Sequence, residues 1–421
     1  MTERLLQYIW QFQYFNKKEL QLSSGESLQI LHPGQWNLHQ GPDFLQAAIK
    51  IEETRWIGNI ELHVRTSDWF LHAHQHDKNY RNVILHVVWV DDLEAGRSNI
   101  PILSLQDKVP KMLLNQYEDW MKNSFFIPCG HNIATINSII WESWKERLLA
   151  ERLQRKTRTI QTCLDQCSHH WEETFWWLLA RNFGIKVNAE AFETVAKSLP
   201  VNILVRHKNQ INQLEALLLG QAGLLEKKFD ETYPVMLQKE YRFYKNKYKL
   251  QTIREPVHFL RMRPENFPTI RLAQLAMLIH ESSHLFSRVL EMESVTGIKE
   301  LLAVTANDYW HYHYRPDETA PFKPKKLGEQ MVNNIIINTI VPIIFAFGDL
   351  HGKNMYKEKA IKWLEEISAE TNSITEKFTK SGIISKNAFD TQSILELKNA
   401  YCDKRRCLDC AVGNSLLKRN N

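Results

Sequence analysis

Acids and imidazoles crowd one short stretch of this chain. Between Gly41 and Asp91 lie Asp43 in Gly-Pro-Asp-Phe, then Glu61-Leu62-His63, then His72, His74 and His76 at alternate positions, closed by Asp77. Carboxylates are hard oxygen ligands for Mg²⁺ or Mn²⁺, and a water polarised by such an ion can attack phosphorus. Imidazole beside carboxylate also suits Zn²⁺ or Mn²⁺. The order is one that a metal-dependent phosphodiesterase could use. Asp43 and Glu61 would hold the metal, and His63 would orient or deprotonate the water near neutral pH. His72, His74 and Asp77 are further candidate ligands.

These side chains need strands to position them. From Ile60 to Arg65 apolar and polar residues alternate strictly, so Ile60, Leu62 and Val64 face one side and Glu61, His63 and Arg65 the other. Ala47, Ile49 and Ile51 mark a shorter strand before it. Val83 to Val90 is apolar apart from His86, which fits a strand buried on both faces. Leu20–Leu22 and Leu28–Leu31 read as a hairpin around Gly25, and residues 4–16 as a helix. The N-terminal part is therefore a small α/β or α+β domain. Strand patterning stops near Leu105, and the remainder reads as helices, including residues 141–159, 171–183, 188–198, 211–225, 270–292, 299–306, 328–345, 356–367 and 392–401. The expected division is an α/β domain over 1–120 and a helical domain over 121–421 that carries a cysteine motif near its end.

Four other constellations compete for attention. Cys402, Cys407 and Cys410 form C-x4-C-x2-C, and Cys129 is the natural distant fourth thiolate for zinc or an iron–sulfur cluster. His280-Glu281-Ser282-Ser283-His284 has the spacing of a zinc peptidase helix, with Glu281 as base. Gly348-Asp349-Leu350-His351-Gly352 looks like a metallophosphoesterase block but reads better as a helix end with Gly as its stop. Lys239, Arg242, Lys245, Lys247 and Lys249 interleave with Tyr241, Phe243, Tyr244 and Tyr248, a mixture that supports phosphate neutralisation with base stacking. Arg147, Arg152, Arg155, Lys156 and Arg158 line a second basic helix.

Composition narrows the class. A chain of 421 residues can bury a large core, and its net charge of +5 does not by itself announce nucleic acid. Six unevenly spaced cysteines do not suggest a disulfide framework. No apolar run is expected to span a bilayer; residues 333–347 are the most apolar and read as a buried helix. No secretory signal is visible at the N-terminus, so the cytoplasm is the expected compartment.

Two resemblances add to this reading. Pro42-Asp43 followed by Glu61-Leu62-His63 resembles the PD-(D/E)xK nuclease superfamily, in which an Asp after Pro and an acid two residues before a Lys hold Mg²⁺ on adjacent strands. Here His63 stands where Lys is usual. Asp77, Tyr80 and Arg81 are similar to the region that follows that motif. The resemblance implies a nuclease-like fold, DNA or RNA as partner, and phosphodiester hydrolysis with Mg²⁺ or Mn²⁺. A non-catalytic nucleic-acid-binding protein on a degenerate nuclease fold, and a zinc-dependent hydrolase, are the alternatives. The whole chain resembles a bacterial family, domain of unknown function 2851. That resemblance is carried by Gly41–Phe44, Gly58–Trp69, Asn82–Val88, Glu215–Leu225, Arg263–Ala276, Asn387–Gln392 and Tyr401–Gly413.

Overall fold

Alternating residues from Ile60 onward do form a strand, and both of its faces are covered. A computed structural model describes residues 1–37, 39–93, 99–282 and 284–418. Helix α1 (Glu3–Gln11) precedes strands β1 (Leu28–His32), β2 (Gln35–Trp36), β3 (Phe44–Ile51), β4 (Thr54–Arg65), β5 (Val83–Val90) and β6 (Ile102–Ser104). Their order in one sheet is β1-β3-β4-β5-β6, with β2 also paired to β3. β3 runs antiparallel to β1, β2 and β4, whereas β5 is parallel to β4 and β6 is parallel to β5.

The parallel β4–β5 pair has a consequence for the site. Two parallel neighbours cannot be joined by a tight hairpin, so the chain must return along the sheet between them. That return holds the short helix α2 (Asp68–Leu71) and two 3₁₀ turns, and it carries His72, His74 and His76. Ile60 and Leu62 are buried on one face of β4, while Glu61 and His63 are 5% and 1% exposed on the other. α1 contributes to the cover: its apolar stripe of Leu5, Leu6, Ile9 and Trp10 is buried, and Thr2 caps its first turn.

Two compact units divide the chain. One comprises Met1–Trp144, Glu376–Ile383 and Glu396–Asn421; the other comprises Lys145–Thr375 and Ile384–Leu395. Residues 121–144 and the cysteine tail therefore group with the strands, not with the helical body. The physical reason is a set of bonds within the first unit. Arg4 pairs with Asp409 at 2.6 Å, and the Tyr8 and Tyr14 hydroxyls lie 3.0 and 3.2 Å from Asn414 Oδ1. Arg405 donates to the carbonyls of Trp120 and Asn123 at the end of helix α3 (Lys111–Lys122). Helix α4 (Ser138–Gln166) contains the point of division.

The second unit is helical around one continuous apolar core. Helices α5 (Trp171–Phe183) and α6 (Ala189–Ser198) fall where the sequence periodicity puts them, and Gly184 ends the first. They are followed by α7 (Val201–His207), α8 (Ile211–Gln221), α9 (Thr232–Tyr248), α10 (Pro268–Glu281) and α11 (Leu285–Glu291). In α8, Glu215 is fully buried; its Oε2 accepts from Tyr233 Oη and Trp310 Nε1 at 2.9 Å each, and Oε1 has no partner. The apolar run 333–347 lies in a buried helix, as expected, but the helix is longer than the run: from Glu329 to Leu350 it is long and apolar enough to cross a membrane, and 78% of its most apolar window is buried inside the protein. A π turn at Ile336–Ile340 interrupts it just before Pro342, which has no N–H to donate. It ends at Leu350, and Gly352 follows at φ +64°.

Candidate functional site

Asp43 enters the sheet just before β3, opposite the middle of β4. Phe44 pairs with Ile60, which puts Asp43 beside Glu61. The Asp43 N–H donates to Glu61 Oε2 at 3.0 Å, and the Leu62 N–H donates to Asp43 Oδ2 at 3.0 Å. From α1, Gln7 Nε2 donates to Asp43 Oδ1 at 2.8 Å. Burial drives both carboxyls well above the ordinary range, and the Asp43 charge raises Glu61 further. Backbone N–H bonds oppose the rise without cancelling it. Glu3, one turn before Gln7, is raised by burial and lowered by His72, so a third acid borders the pair.

Imidazoles complete the cluster. Glu61 pairs in register with His86 across the parallel strands, so His86 emerges on the same face as Glu61 and His63. His63 Nδ1 lies 2.8 Å from His86 Nε2, and His63 Nε2 lies 3.1 Å from His72 Nδ1. His74 Nε2 and His63 Nε2 stand 3.5 and 3.6 Å from Glu61 Oε1. Tyr80 stacks on His74 with ring centroids 3.9 Å apart, and Trp69 meets the rings of His74 and His86. Burial, then the neighbouring imidazoles, lowers His63 to about 3; burial chiefly lowers His86 to about 4. Both are neutral at physiological pH and offer lone pairs.

Among the described residues, donor atoms of His63, His72 and His74 all lie within 4.8 Å of one another. His74 Nε2 is buried without a hydrogen-bond partner. An orphaned lone pair, two further imidazoles and a protonation-prone carboxylate pair form a donor set that fits a divalent transition metal. If His63 Nδ1–H donates to His86, its Nε2 is bare, and the outer imidazole fixes the inner one as second-shell partners do in metal sites.

The structure brings Asp43, Glu61, His63, His72 and His74 together, so two constellations read separately in the sequence form one site. Burial and His72 lower His74, and Asp77 stands near enough to offset part of that, but its Oδ1 accepts the Asn79 N–H at 2.9 Å and caps the following turn. His76 is exposed. Sequence reasoning missed Glu3, Gln7 and the role of His86. The one available signal was His86 itself, a polar residue inside a buried strand.

Other candidates fare differently. The zinc-peptidase helix does not form: α10 stops at Glu281, Ser282 is extended, and His284 has φ +53° as the cap of α11. The two histidines share no helix face, and His280 Nδ1 is bonded to the Lys208 carbonyl at 2.6 Å; Ser283 lies outside the described residues. In the basic patch on α9, Lys239, Arg242, Lys247 and Lys249 are exposed and Lys245 bonds Thr252. Tyr241 and Tyr244 are buried and unavailable for base stacking, whereas Phe243 is exposed. On α4, Arg147 pairs with Glu151 at 2.9 Å and Arg152 reaches Asn338. Cys129, Cys402, Cys407 and Cys410 line one cavity.

Fold and site together define a two-unit protein whose strand-bearing unit carries a buried carboxylate–imidazole centre. Residues 3–373 match the family described as protein of unknown function DUF2851, and the chain belongs to that family. Neither the curated proteins nor the solved structures contain a match.

Proposed function

We propose that the first unit is a metal-dependent phosphodiesterase acting on nucleic acid. One observation carries the reading: half-buried Asp43, at the head of β3, and buried Glu61, on the antiparallel neighbour β4, stand against each other with an imidazole two residues after the second acid. Two carboxylates so placed repel unless a proton or a cation sits between them. The sequence of elements, a helix, antiparallel strands, then a crossover to a parallel strand, also supports a nuclease-like fold, with α1 bringing Glu3 and Gln7 over the acids.

Asp43, Glu61, His63, His72 and His74 would hold the ion, and their mixed oxygen and nitrogen donors favour Mn²⁺ or Zn²⁺ over Mg²⁺. A bound divalent ion supplies a water acidic enough to attack near neutral pH and positive charge opposite the phosphoryl oxygens. Gln7 orients Asp43, and His86 orients His63. His63, kept neutral, is better suited to ligation or water alignment than to the role of a strong base.

The test is end-labelled single- and double-stranded DNA and RNA incubated with chelator-treated protein and Mn²⁺, Zn²⁺ or Mg²⁺. Cleavage is expected with Mn²⁺ or Zn²⁺ and is expected to fall by at least about 100-fold in Asp43→Ala and Glu61→Ala, with nucleic-acid binding retained. Cleavage that survives both substitutions sinks the proposal. Binding without cleavage under every metal would instead favour the non-catalytic alternative. The three-imidazole set also supports a zinc hydrolase of another ester, which a metal-dependent activity on a simple nitrophenyl ester but not on any phosphodiester would reveal.

A further inference from the structure

Four of the six cysteines meet far from the carboxylate–imidazole residues in sequence. Cys129 follows α3, and Cys402, Cys407 and Cys410 lie in the tail, yet all four line one cavity in the first unit with Ile133, Tyr401 and Val412. None is in a disulfide. Cys129, Cys407 and Cys410 are buried, and Cys402 is half-buried.

Donor groups gather around the buried sulfur of Cys410. N–H groups of Val412 and Gly413, at the start of the helix Ala411–Lys418, donate to its sulfur, and the Trp144 indole N–H approaches the same atom. A neutral thiol is a weak acceptor, whereas metal-bound sulfur is regularly met by such donors. The turn is closely built: a Cβ on Gly413 would stand 2.3 Å from the Cys407 carbonyl oxygen, so a larger residue there would push Cys407 and Cys410 apart.

Spacing distinguishes one ion from a cluster. A tetrahedral Zn²⁺ with bonds of about 2.3 Å holds its four sulfurs roughly 3.8 Å apart. Among the described residues, a set of ligating atoms all within 4.8 Å of one another is formed by the three imidazoles and by no three of these thiols. A cubane of iron and sulfide stands between its thiolates and holds them further apart.

We propose that Cys129, Cys402, Cys407 and Cys410 ligate a four-iron, four-sulfide cluster that ties the segment after α3 to the tail. Loading is a ligand exchange: four S–H protons leave as four Fe–S bonds form, the ligands of a preassembled cluster depart, and no oxidation state changes. The cluster lies outside the carboxylate–imidazole residues, and its role is to fasten two distant parts of one unit.

The experiment is iron, zinc and acid-labile sulfide analysis with an absorption spectrum, on full-length protein purified without oxygen. Expected are about four irons and four sulfides per chain with a broad band near roughly 400 nm. Cys129→Ser and Cys402→Ser should each lose most of that band, and Cys163→Ser and Cys167→Ser should keep it. Should the serine variants fail to fold, the wild-type stoichiometry still decides. One zinc per chain, a metal-free wild type whose six thiols all react with an alkylating agent, or a band that survives both substitutions overturns the proposal.

Discussion

Glu61 occupies a setting that disfavours its own charge, and this makes the site measurable without a substrate. A divalent ion that binds only the folded chain at a hundredfold over its Kd stabilises it by about 2.7 kcal/mol. Mn²⁺ or Zn²⁺ should therefore raise the melting temperature of the wild type in calorimetry, and Glu61→Gln or His74→Ala should abolish that rise. Glu215 makes a second, independent prediction. Burial lifts its carboxyl from 4.5 to about 7 in the folded state. A raised folded pKa means that folding takes up a proton, so the stabilisation is complete below about pH 4.5 and is lost as pH climbs through about 7. The span is worth about 3 kcal/mol at 1.36 kcal/mol per unit. Denaturant titrations from pH 4.5 to 8 should show a steeper fall of stability in the wild type than in Glu215→Gln, the raised carboxyls of Asp43 and Glu61 adding the same fall to both. Much of the site was legible at this scale. Asp43, Glu61, His63, His72 and His74 are of types whose chemistry is plain from their spacing. Glu3 and Gln7 were not, because nothing local ties an amphipathic helix to a strand pair some 40 residues on (Gln7 to Asp43, 36 apart).

At the scale of elements, period was readable and breaks were not. The alternation in β4 and the apolar run of β5 name both strands, yet only their parallel pairing explains why histidines of the connecting segment lie over Glu61. The stretch 270–292 keeps a helical period throughout, but the chain turns at Ser282, where apolar spacing carries no warning. The basic and aromatic residues of α9 look alike in sequence, and packing separates them: Tyr241 lies on Gly220 of α8, where a Cβ would stand 2.2 Å from the ring. Its hydroxyl donates to Gln221 Oε1 at 2.7 Å, which leaves the ring no room to retreat. Gly220→Ala should accordingly destabilise the helical unit by about 1–3 kcal/mol in urea unfolding, the usual range for overpacking. Lys239→Ala, on the exposed side of the same helix, should change it by less than about 0.5 kcal/mol.

The whole molecule is organised less simply than an α/β domain followed by a helical one. Its first unit is assembled from three separate parts of the chain. Such discontinuity is invisible to periodicity, since it depends on contacts such as those of Asn414 with Tyr8 and Tyr14. Residues 1–144 expressed alone should thus lack the near-ultraviolet circular dichroism of fixed aromatic packing. The same residues joined by a flexible Gly/Ser linker to residues 396–418 should recover at least part of it; equal spectra for the two would contradict the division. There is also a temporal side to this arrangement. Synthesis runs at roughly 5–20 residues per second, so the strands bearing Asp43 and Glu61 leave the ribosome tens of seconds before the tail that holds α1. A polypeptide abandoned midway carries every one of those acids and imidazoles but not the part that steadies the helix above them. A chain stopped short of Asn414 lacks the partners that the tail offers to Arg4, Tyr8 and Tyr14.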